Sequence, residues 1–201
     1  MATTTTRSAT LPALLYVLAA FGIVGGACGA VRGTTAAALF VKSHDEYDKL
    51  VNTNVDALKP LVSAPEIDYY KREAAARWSH RNAALPLAAV GIILSCLMAA
   101  GAMRAMRADP WGLSAWRFAA AASMPYQLVS LALELVVARE LASAIAALPP
   151  IPQLMAHVGQ LLTVVLCGVS ILYYGVCVIY LRSPAVGRAF SDGAGRTPPS
   201  A

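Results

Sequence analysis

Charge is scarce in this chain. Asp, Glu, Lys and Arg make up 13% of its 201 residues, while 58% are hydrophobic. A soluble domain carries about 25% charged residues, and mean hydropathy here is +0.58. That balance excludes an ordinary water-facing surface and points to a bilayer. Cysteine is nearly absent from where it would form a framework. Cys28, Cys96, Cys167 and Cys177 all lie inside apolar segments and no pair is spaced CxxC, so they read as small hydrophobes and not as disulfides. Catalytic motifs are missing as well: there is no GxGxxG, phosphate-binding loop, HExxH or nucleophile elbow. No basic cluster with interleaved aromatics argues for nucleic acid, in spite of a net charge of +5.

What is present is four long apolar runs. They occupy 11–31, 83–106, 117–148 and 156–181, each near or above the roughly 20 residues that a span requires. The third is too long by about ten residues. The fold expected is therefore an all-α membrane protein with four transmembrane helices.

Arginines fix the expected orientation. Arg7 precedes the first run, Arg104, Arg107 and Arg117 mark the 107–116 loop, and Arg182, Arg188 and Arg196 follow the fourth. The 149–155 turn carries no charge, and residues 33–82 balance seven Lys/Arg against seven Asp/Glu. The positive-inside rule then predicts both termini inside, with 32–82 and 149–155 extracytoplasmic, in a multi-pass protein of the plasma (inner) membrane. In a second reading, residues 1–27 are a cleaved signal peptide, with Arg7 as its basic region. The 1–10 and 182–201 tails, rich in Thr and in Gly/Pro/Ser, are expected to be disordered.

The 32–82 segment is patterned as helix. Tyr47, Leu50, Val51, Val55 and Leu58 recur at helical spacing, and Pro60 ends that run. Ser63, Pro65 and Glu66 then form a helix-start signature, and no breaker follows until Pro86. Helices 1 and 2 are thus expected to extend into an extracytoplasmic helical hairpin. Gly22 and Gly26 make a GxxxG pair that suits close helix packing, within the chain or between copies.

The candidate site is a polar stripe in the third and fourth spans. Ser123, Gln127, Ser130 and Glu134 fall within roughly 60° of arc at 100° per residue. Gln160, Thr163, Cys167, Ser170 and Tyr174 form a matching row on the fourth span. A short turn makes these helices antiparallel neighbours, so the two rows face each other. They serve either as glue between helices or as the lining of a path with Glu134 as its ionisable group. Arg139 and Glu140 lie beyond the membrane by the same count, and need no special role. Pro125 is expected to kink the third span by freeing the Ala121 carbonyl. His44 and His80 are the weak candidates for a metal or haem pair; no cofactor is otherwise indicated.

Four spans with a large first outer loop resemble tetraspanins and claudins in outline. The outer loop lacks the cysteines both families use, so the resemblance implies nothing about function. The function expected is a non-enzymatic subunit or assembly component of a larger membrane complex, with lipid and a protein partner or further copies as its contacts. The alternatives are an oligomeric channel or transporter using the stripes and, more weakly, a haem- or quinone-associated subunit.

Overall fold

The computed structural model describes residues 12–194. The expected disorder of residues 1–10, and that of 195–201, falls outside that range. Eight helices and no strands make up the described residues: α1 Ala13–Phe40, α2 His44–Leu58, α3 Ala64–Ser79, α4 Arg81–Ala105, α5 Pro110–Glu140, α6 Ala142–Ala146, α7 Pro150–Leu181 and α8 Pro184–Ala194. Helices α1, α4, α5 and α7 are long and apolar enough to cross a membrane.

Small residues set how closely the spans pack. A Cβ at Gly26 would sit 2.6 Å from the Ser95 carbonyl oxygen, and one at Gly33 would sit 2.7 Å from Ile92. Within the GxxxG pair, Gly26 is thus packed on α4, while a Cβ at Gly22 would meet the Tyr173 hydroxyl of α7 at 3.1 Å and Ala102 of α4 at 3.3 Å. The α4–α5 contact is as tight: a Cβ at Gly101 would lie 2.7 Å from the Trp116 backbone nitrogen. Helix α7 packs against α5, and reaches α1 through Tyr173, whose hydroxyl donates to the Leu18 carbonyl at 2.9 Å.

The main core sits at one end of the bundle, called here the tail end. Leu15, Trp116, Leu181 and Val186 are fully buried there, with Ala102 and Cys177. Arg117 donates to the Leu181 carbonyl and so satisfies the end of α7. Asp109 caps α5, its side chain accepting from the Trp111 amide at 2.9 Å.

The structure corrects several boundaries. Residues 184–194, expected to be disordered, form α8, because Val186 and Phe190 share a face that docks onto the tail-end core. The overlong third segment is not one helix: it begins at Pro110 and breaks at Leu141 into α5 and the short α6. The fourth starts at Pro150, because proline suits a first helical turn, so residues 150–155 of the expected 149–155 turn are helix and the connection from α5 is 141–149. Helix α5 runs through Pro125 without interruption.

At the other end, Ser43 caps α2 in a reciprocal box with Glu46. Glu66 reaches back to accept from the Ser63 amide at 2.7 Å at the start of α3. Tyr47 stacks on Trp78 with centroids 4.6 Å apart, and its hydroxyl donates to the Ala74 carbonyl, joining α2 to α3. Arg81 covers the Trp78 ring at 4.3 Å. Helix α3 does not run on unbroken into the second span as expected: α3 and α4 are separated at His80 (φ −93, ψ 8), and Pro86 lies inside α4.

Candidate functional site

Helices α5 and α7 bring the two polar rows together, and the rows divide into two parts. Toward the tail end they meet closely. The Tyr174 hydroxyl faces the Gln127 and Ser123 side chains. Cys167 Sγ lies 3.5 Å from the Gln127 carbonyl oxygen. Ser123 is buried and Gln127 half-buried. Thr163 and Ser170 turn back onto their own helix, donating to the Gly159 and Leu166 carbonyls at 3.0 and 2.8 Å. Pro125 is exposed and Ser130 half-buried. A side-chain hydrogen bond between membrane helices is worth about 0.6–2 kcal/mol.

Toward the α2–α3 end the rows open into a cleft of about 230 Å³, where Glu134, Gln160 and Thr163 line one side. The other side is α3, which contributes Tyr69, Glu73 and Arg77. Arg77 bridges two carboxylates: Nη1 is 3.3 Å from Glu134 Oε1, and Nε is 3.0 Å from Glu73 Oε1. Burial pulls the Arg77 guanidinium toward lower pKa, but Glu134 and Glu73 outweigh it and hold Arg77 above its ordinary value. Burial also raises the Tyr69 hydroxyl, and Glu73 adds to the rise. A second cleft of about 450 Å³ adjoins the first and shares Tyr69 and Glu73 with it.

The clefts exist because α3 leans on the ends of α5, α6 and α7. Tyr69 and Ala76 pack on Val137, Leu141 and Ile145, with Ala156 completing the cluster. His80 Nε2 meets Glu140 Oε1 at 2.9 Å, next to this contact. Glu134 is therefore a carboxylate with a cationic partner from a distant helix.

His44 and His80 are placed with different carboxylates. His44 Nδ1 lies 2.8 Å from Asp48 and its ring stands edge-on to Trp78. Among the described residues no group of three His, Cys, Asp or Glu is arranged to hold a metal.

Sequence reading missed Arg77 and Glu73. The i, i+4 spacing of Glu73 and Arg77 signals their mutual ion pair, but nothing local links either to Glu134. In comparisons with protein families, curated proteins and solved structures, nothing matches this chain.

Proposed function

We propose that this chain is a non-enzymatic subunit of a larger membrane assembly. In this reading both termini face the cytoplasm, and the α2–α3 pair stands on the extracytoplasmic side of the plasma membrane. One observation carries the proposal: the polar rows of α5 and α7 face each other inside the chain, while the surface α7 leaves uncovered is apolar. Tyr174 and Cys167 of α7 meet Ser123 and Gln127 of α5. Leu162, Leu166, Val169, Leu172, Val176 and Ile179 are all at least half exposed. Such a face meets lipid or another apolar helix, and not a solute.

Extraction of the tagged full chain in mild detergent, followed by sizing and identification of what co-purifies, tests the proposal. A defined heteromeric species supports it. A monodisperse chain without partners, combined with ion flux in proteoliposomes that Glu134→Gln abolishes, would replace it with the transport reading.

A further inference from the structure

We propose that the cleft between α3, α5 and α7 holds the headgroup of a zwitterionic phospholipid carrying a primary ammonium. The ammonium sits on Glu134 and the phosphate on Arg77. The inference assumes the spans lie in a bilayer, as the subunit reading does, but is independent of any protein partner.

Three features select this ligand. The first is position. The cleft opens at the end of the α5–α7 groove, and its apolar lining includes Leu131, Leu135 and Val164. Leu135 and Val164 are 52% and 42% exposed, so acyl chains can run down the groove from the cleft. At about 230 Å³ the cleft is smaller than the ~300–1,000 Å³ of sites for drug-sized ligands. It accommodates a headgroup and leaves the chains outside.

The second is charge. The lining holds two carboxylates, Glu73 and Glu134, against one guanidinium, Arg77. An anionic headgroup meets a carboxylate excess, whereas a zwitterion presents an ammonium to that excess and a phosphate to Arg77. The Glu134 and Arg77 side chains keep 33% and 40% exposure, so both are reachable.

The third is donor count. A primary ammonium offers three N–H donors, which Glu134 and the Gln160 amide oxygen can accept; a choline group offers none. Quaternary ammonium is recognised by aromatic cages, and Tyr69 is the one aromatic side chain in the lining of this cleft.

The test is competition. The purified full chain is mixed with equal amounts of phosphatidylethanolamine, phosphatidylcholine and phosphatidylglycerol, and retained lipid is read by native mass spectrometry. One phosphatidylethanolamine should be retained with about tenfold preference over each competitor, the factor one hydrogen bond to a charged group supplies. Glu134→Gln should bring the preference close to one, and Glu73→Gln should reduce it, which guards against one variant misfolding. Glu140→Gln, whose carboxylate pairs with His80 outside the cleft lining, should keep it. Equal retention of the three lipids, a preference for phosphatidylglycerol, or a preference that survives both cleft variants overturns the proposal. So does displacement of the lipid by a matching concentration of free phosphoethanolamine, which would make the site one for soluble amines.

Discussion

At the tail end, Trp116, Leu15, Leu181 and Val186 meet with no exposure at all, and α8 lies over them. At the α2–α3 end, Arg77 and Glu134 keep a third or more of their side-chain surface and bond at 3.3 Å. One end is fitted by shape and the other is joined by charge. Shape packing leaves little room for an added atom, since interiors are close-packed. Charge across a half-open cleft tolerates volume changes but responds to salt and to a competing ion. The two ends therefore respond to different changes: the tail end to added volume, the other end to ionic strength.

The largest effect expected from this contrast comes from one methyl group. Gly101→Ala places a Cβ 2.7 Å from the Trp116 backbone nitrogen and 3.0 Å from its Cα. Backbone cannot swing aside as a flexible side chain does, so α4 and α5 must separate. Overpacking of this kind costs about 1–3 kcal/mol. Gly168→Ala meets nothing within 4 Å and should be neutral or stabilise α7 by up to about 1 kcal/mol, through helix propensity. Thermal melts of both variants in the same detergent check the pair. Equal melting temperatures would mean that the α4–α5 contact is looser than the structure has it.

A smaller effect is expected at the charged end. Arg77→Gln and Glu134→Gln, taken singly and together, should show a coupling of about 0.5–1 kcal/mol. Exposure of both side chains keeps the figure low. The coupling should fall as salt rises from about 0.05 to 0.5 M, because screening tightens with ionic strength. Gly101→Ala should cost the same at both salts. A coupling that ignores salt would place Arg77 and Glu134 in a drier setting than the open cleft gives them.

The amino-acid sequence discloses these two ends unequally. The four apolar runs, the stop at Pro60 and the Ser63–Glu66 start are local signals, and the helices follow them. The polar rows on α5 and α7 are periodic, so their meeting at Gln127, Cys167 and Tyr174 follows from the short connection between the helices, which runs through α6 and not through a turn at 149–155. Arg77 and Glu134 are 57 residues apart, and no periodicity encodes their meeting. It arises from how α3 leans after the break at His80. Helix α8 was hidden for a related reason. Its glycine, proline and serine suggest disorder, and only the docking of Val186 and Phe190 onto the core makes the helix worth forming.

The smallest effect is a pH response at the start of α3. Ser63 donates to the Glu66 carboxylate from both its hydroxyl and its backbone amide. These bonds favour the ionised form and hold Glu66 below its ordinary value of 4.5. A lowered folded pKa contributes stability above the unfolded value, and that contribution fades as pH falls through the folded one. Acidification below about 4.5 should therefore loosen the first turn of α3. Hydrogen exchange of the Glu66 and Ile67 amides in the full chain, corrected for intrinsic rates, reads the change. Glu73 and Glu134 also lie along α3's contacts, so acid alone does not isolate the cap. Glu66→Gln does, because its amide cannot titrate: that variant should lose the acid step at this turn while keeping any step that belongs to the Arg77 cleft. An acid step undiminished in Glu66→Gln would assign the response to the cleft, making the charged end more pH-sensitive than its helix cap.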